Sequence, residues 1–294
     1  MELFNFLKKK EEEPIYHKGE SDLTIKEGKH FFEGCKNISV SGKAIILEST
    51  DTEFNTISDK VKIHVFNNGL IRTLGGRAVI GMVKKGTIIN VINKARITTV
   101  NSCNIDYLKG KSRIDTFNSG SIKFVDDRAK ITTFNNGEIL FLRDNSKIGT
   151  LIDGKIITIE DNATITTIMN GTIDYVLNKA TIGTVNSGYI SKTSDQAKVY
   201  SQNGGTISLL MGDSSIDAQI DGKVEKTVGD GKIVYSQDGK NNFSVVLPIK
   251  EESVRKSHKK ANIEESKKEE LELPKEEQED EYFEFDKNID ETNK

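Results

Sequence analysis

The sequence predicts an all-β chain wound as a parallel β-solenoid, or β-helix, on three observations. A 17-residue repeat runs without insertion from Val61 to Asp230. Two columns of β-branched residues recur at fixed places within it. One glycine returns at the same place in almost every unit.

Counted from a small residue, successive units read AVIGMVKKGTIINVINK from Ala78, ARITTVNSCNIDYLKGK from Ala95, SRIDTFNSGSIKFVDDR from Ser112 and AKITTFNNGEILFLRDN from Ala129. Position 3 is Ile97, Ile114, Ile131, Ile148, Ile165 and Ile182, and position 11 is Ile105, Ile122, Ile139, Ile156 and Ile173. Positions 6 and 14 are apolar in most units, as at Phe117, Phe134, Val125 and Leu142. Each unit therefore holds two similar halves, each contributing a short strand. Position 9 is Gly in nine of ten units, Cys103 being the exception, and supplies the positive φ of a sharp bend.

A unit of this size cannot bury its own apolar face and is stable only when stacked on its neighbours. Stacking places column residues about 4.8 Å apart, so the isoleucines become interior ladders. Helices are excluded by the β-branched bias and the recurrent Asn-Gly and Ser-Gly pairs. Identical residues at one fixed spacing leave no room for hairpin reversal, so the coils are parallel; about ten to twelve are expected, and the pattern does not determine handedness.

The flanks follow in order. Residues 1–19 are expected as a flexible leader, 20–60 as an N-terminal cap with degenerate coils, 61–230 as the regular solenoid, 231–249 as a C-terminal cap and 250–294 as a disordered tail. The three prolines, Pro14, Pro248 and Pro274, all lie outside the repeats and leave the ladder donors intact. From Glu251 to Lys294 there are 16 acidic and 9 basic side chains, against a net charge of −3 for all 294 residues. Such a segment buries too little apolar surface to offset its ordering entropy. Two unclustered cysteines, Cys35 and Cys103, point to a reduced, cytoplasmic setting rather than a disulfide framework or a zinc site.

Enzymatic chemistry requires a break in the repeat that gathers unlike reactive groups, and none is visible. His17, His30, His64 and His258 are scattered, and no phosphate loop opens a helix. No catalytic, cofactor or metal site is expected. The candidate interaction residues lie at the ends instead. Leu3, Phe4, Phe6 and Leu7 precede three lysines, the composition of a weak interfacial anchor at the membrane's inner face. Phe243 sits in the final irregular segment, and Tyr282, Phe283 and Phe285 stand among acids in the tail.

The repeat also generates surface files. Position 2 gives Arg96, Arg113, Lys130 and Lys147, and position 16 gives Asp127, Asp144 and Asp161. The two rows are expected to neutralise each other, so nucleic acid is not an expected partner. Position 5 is Thr from Thr99 to Thr184 and is expected as an inward or bend-side hydrogen-bonded ladder. Position 13 holds Tyr107, Phe124, Phe141 and Tyr175, expected to complete the core.

With the LFNFLKKK leader, the solenoid and the charged tail in view, the layout resembles bactofilins, bacterial proteins that polymerise end to end into membrane-associated filaments. It departs from them in its ten regular coils and its Asn- and Thr-rich faces, and also looks like the NGGTI-type repeat proteins of phages and low-GC bacteria. The resemblance implies a non-catalytic scaffold, with itself or another protein as partner. The alternative is a macromolecule-binding protein, such as a phage-encoded inhibitor or fibre-like component, using the charged and aromatic ladders.

Overall fold

A computed structural model describes residues 13–237. They form one parallel sheet of 24 strands, without helix, coiled into a β-solenoid of about 13 turns. The pairing offset is the repeat itself: Ile114 lies opposite Ile97 and Ile131, and Ile139 opposite Ile122 and Ile156.

Every isoleucine of the two expected ladders is buried, none more than 1% exposed. Burying each such side chain stabilises the fold by about 1.5–3 kcal/mol relative to exposure. The small residue at position 1, such as Ala95, Ser112 or Ala129, also points inward. The spacing of the buried positions fixes the path of the chain. Positions 3 and 6 are both interior, although strict strand alternation would put them on opposite faces. The chain therefore bends between them, and position 4 is absent from the ladder: Ile114 and Thr116 pair with Ile131 and Thr133, but Asp115 pairs with nothing. The same three-residue step separates positions 11 and 14, giving a second corner. Core volume changes along the stack. Phe117 and Phe134 stack inside at 5.0 Å, whereas position 6 becomes Gln202 and Gln219 in later coils. That glutamine pair is buried and bonded, Gln219 Nε2 donating to Gln202 Oε1 at 3.1 Å and to the Gly222 carbonyl at 2.9 Å.

Each coil closes with a tight turn across positions 15 to 1 of the next unit. The N–H of Ala129 donates to the Asp126 carbonyl at 3.1 Å, and that of Ala163 to Glu160 at 3.2 Å. Position 16 is left-handed throughout, at Asn93, Asp127, Asp144, Asp161, Asn178 and Asp195, or is glycine, as at Gly110. Position 9 divides into two cases. Gly120 and Gly137 have positive φ as expected, and a Cβ there would also meet a carbonyl of the preceding coil. Gly154 has no positive φ; its hydrogen is required because a Cβ would lie 2.3 Å from the buried Phe134 ring.

Parallel pairing begins earlier than the 17-residue period indicates. Strand Ile15–Lys18, inside the expected leader, pairs with Lys29–Glu33, placing Ile15 opposite His30. This offset is 15 residues, and a register shift at His30 precedes the standard period, so a fixed-period comparison misses the first coils. At the other end Lys232–Ser236, expected as the start of a cap, continues the ladder on Ser215–Gln219 with the usual offset.

Candidate interaction surfaces

Because the interior is filled, whatever this chain binds must meet its outer files or its ends. The Asp file at position 16 is a structural device. Asp127 Oδ2 accepts the backbone N–H of Gly110 at 2.9 Å, Asp144 Oδ2 that of Asp127 at 3.0 Å, and Asp195 Oδ2 that of Asn178 at 3.2 Å. The expected neutralisation by position 2 does not occur. Arg96 and Arg113 instead converge on Asp115 at the first corner, Arg96 Nε at 2.8 Å and Arg113 Nε at 2.5 Å, because position 4 stands beside position 2 of its own coil and of the preceding one. Lys130 and Lys147 are exposed and form no ion pair among the described residues.

The aromatic file is a correction too. Tyr107, Phe124 and Phe141 are half-exposed and Tyr175 is 39% exposed, so position 13 faces outward. The strand residue next to it, position 14, takes the interior place. The rings stack on one another, with centroids 5.2 and 5.3 Å apart and nearly parallel planes. Beside them runs an alternating column at position 15: Lys109, Asp126, Arg143, Glu160. Arg143 Nε donates to Asp126 at 2.8 Å, Lys109 Nζ lies 3.5 Å from the same carboxylate, and both cations cover rings, Lys109 over Tyr107 and Arg143 over Phe124. The bond to Asp126 raises the Arg143 pKa. Burial, with Asp161 adding to it, raises that of Glu160, which has Arg143 on one side of the column and Leu177 on the other.

The threonine file also turns out differently. Thr99 to Thr184 lie beside the first corner but are half-exposed, and among the described residues no hydrogen bond joins their hydroxyls. The bonded polar file is asparagine at position 7: Asn118 Nδ2 donates to Asn101 Oδ1 at 2.9 Å and Asn135 to Asn118 at 2.6 Å.

Among the described residues no three His, Cys, Asp or Glu side chains converge as metal ligands. Cys103 is buried, which pushes its thiol up to about 12 and leaves no thiolate for chemistry. His64 is exposed on its strand. The shortened N-terminal coils bring together a pair that sequence separation concealed: His17 Nε2 lies 3.1 Å from His30 Nδ1, His17 Nδ1 3.0 Å from Glu20, and His30 Nε2 donates to the Glu27 carbonyl at 2.7 Å. The candidates Leu3, Phe4, Phe6, Leu7, Phe243, Tyr282, Phe283 and Phe285 lie outside the described residues.

A second feature missed at the sequence level is position 17. It carries Lys43, Lys60, Arg77, Lys94, Lys111 and Arg128, an unbroken cationic file legible once that column is written out. No family model matches the chain, and neither a curated protein nor a solved structure does.

Proposed function

We propose that this protein is a non-catalytic scaffold that associates end to end through its terminal coils. The observation that carries this reading is the contrast between the interior of the stack and its last described coil. Column isoleucines inside are fully buried, whereas Ile233, in the same column at the last described coil, is only partly covered. The first strand is similar, with Ile15, opposite His30 in that column, 53% exposed. In a parallel solenoid the two ends present opposite edges of the same ladder, so the last coil of one molecule is complementary to the first coil of another. Such a heterologous contact does not close on itself and propagates as a filament. This is the arrangement that the bactofilin-like layout implies, and it needs no reactive group.

Sedimentation over a wide concentration range, with electron microscopy of the same samples, tests it. The full chain is expected to form particles that lengthen with concentration. Ile233→Arg should shift the distribution to monomer while keeping the strand-rich circular dichroism, since the ladders from Ile63 to Ile216 are untouched. A chain that stays monomeric at high micromolar concentration refutes the scaffold and favours the macromolecule-binding alternative.

A further inference from the structure

Several cations on this solenoid are paired with a carboxylate in their own or a neighbouring coil. Lys123 lies 3.0 Å from Asp106, Lys155 3.0 Å from Asp174 and Lys198 2.8 Å from Asp217. The file at position 17 is different in being both unpaired and uninterrupted. Lys43, Lys60, Arg77, Lys94, Lys111 and Arg128 occupy six successive coils, all exposed, and among the described residues none has an ion-pair partner. The neighbouring position 15 shows what neutralised stacking looks like, with its alternation of Lys109, Asp126, Arg143 and Glu160. Like charges held one coil apart repel, so an uninterrupted run is an electrostatic cost unless an anion lies along it.

The spacing is imposed by the backbone. Each N–H at position 17 donates to the position-16 carbonyl of the preceding coil: Arg77 to Asp59 at 2.7 Å, Lys94 to Gly76 at 3.0 Å and Arg128 to Gly110 at 2.9 Å. The six side chains therefore rise once per coil, about 4.8 Å each, along about 24 Å. Position 1 between is small and buried, so position 2 emerges on the same side and widens the band with Lys62, Arg96, Arg113 and Lys130, of which Asp115 offsets only part.

We propose that this band is a binding site for a phosphodiester polymer, a nucleic acid gripped by its backbone without reading its bases. A linear file of cations fits a linear polyanion. A flat anionic membrane fits less well, because it would also meet the Asp127 and Asp144 carboxylates exposed or half-exposed beside the file, and the apolar side chains of the band, Ile45 and Val79 at position 2, are half-buried rather than exposed to enter lipid. Base stacking is not provided, since the rings of Tyr107, Phe124 and Phe141 cover one another's faces. The expectation against nucleic acid depended on neutralisation by the Asp row, but beside the six cations position 16 carries only two carboxylates, Asp59 and Asp127, its other places being Gly42, Gly76, Asn93 and Gly110.

The test uses the full chain and a labelled 30-base-pair DNA duplex of arbitrary sequence, with affinity followed by fluorescence anisotropy from low to moderate salt. Binding should be insensitive to sequence, with log K falling against log salt at a slope of about −5 for six contacts. Replacing three members of the file together, Lys94→Gln, Lys111→Gln and Arg128→Gln, should reduce the slope by roughly 1 per residue and weaken binding at least about tenfold. The control of equal charge change, Lys123→Gln, Lys155→Gln and Lys223→Gln, removes paired cations elsewhere and should bind nearly as the parent does. Circular dichroism confirms that both variants fold. Absence of duplex binding at low salt, equal weakening by the two variants, or binding to vesicles of phosphatidylglycerol and phosphatidylcholine but not to the duplex would each overturn the proposal. End-to-end assembly is read separately by sedimentation.

Discussion

Asp127 holds left-handed backbone at φ 59° and accepts the N–H of Gly110, one coil earlier, through Oδ2 at 2.9 Å. One short side chain thus meets two needs of the turn. It tolerates a conformation that costs most L-residues about 1–2 kcal/mol, and it satisfies a donor that the ladder leaves over. Asp127→Ala is therefore expected to lower stability by about 2–3 kcal/mol, the sum of left-handed strain and a lost hydrogen bond worth about 1 kcal/mol. Asp127→Gly should cost only the bond, and Asp127→Asn least, since its amide oxygen keeps an acceptor. Urea midpoints of the three variants check the order; an Ala variant as stable as the parent would mean that the turn is unstrained.

The interior makes a harsher demand. Ile131 is fully buried with Ile114 and Ile148 paired on either side. Ile131→Asp places an unpaired carboxylate between two apolar neighbours, and a loss of more than about 4 kcal/mol, or failure to fold, is expected. Its chain neighbour Lys130 is exposed, and Lys130→Glu should stay within about 0.5 kcal/mol of the parent. Thermal melts of the two variants decide the facing, and a reversed result would invert every assignment of inside and outside.

The two ladders were legible because burial there is all-or-none and the residue type uniform: Ile97 to Ile182 and Ile105 to Ile173 admit no other placement. The outer files were harder to read. Asp127, Asp144 and Asp161 look like a charged row, but their common feature with Asn93, Asn178 and Gly110 is tolerance of left-handed backbone, visible only when the whole column is compared. The aromatics at Phe124 and Phe141 were assigned to the core on size. The three-residue step from Ile139 to Leu142 instead makes position 14 the inward one. The same corner geometry turns Thr116 and Thr133 outward. His17 and His30 meet only because the first coils are two residues shorter than the rest.

Position 1 offers a stabilising change. It is alanine at Ala95, Ala129 and Ala163, but serine at Ser112 and Ser146, whose buried hydroxyls have no hydrogen-bond partner among the described residues. A buried polar group left unmatched costs about 1–3 kcal/mol. Ser146→Ala removes the hydroxyl and restores the residue used in the adjoining coils, so a gain of about 1 kcal/mol is expected, with Ser112→Ala behaving alike. Both sites are more than one coil apart, so the gains should add. A lower urea midpoint for either variant would show that the oxygen has a partner after all.

The last expectation concerns pH. Glu160 ends the alternating column at position 15, and burial, reinforced by Asp161, raises its pKa above the ordinary glutamate value despite Arg143 nearby. A carboxyl whose folded pKa exceeds its unfolded one holds more protons in the native state within the window between them, so stability falls as pH rises through that window. The penalty grows as pH rises through that window; below the ordinary glutamate range, about 4.3, it is gone. Glu160→Gln keeps the shape and removes the charge. It should therefore raise the urea midpoint at pH 7, and the difference between variant and parent should shrink steadily as pH is lowered toward 4. Because the group is only half-buried, water screens part of the effect. The sign and its pH trend are the test. A Gln variant that is less stable at pH 7, or whose advantage grows on acidification, would show that the pairing with Arg143 outweighs burial at the end of the column.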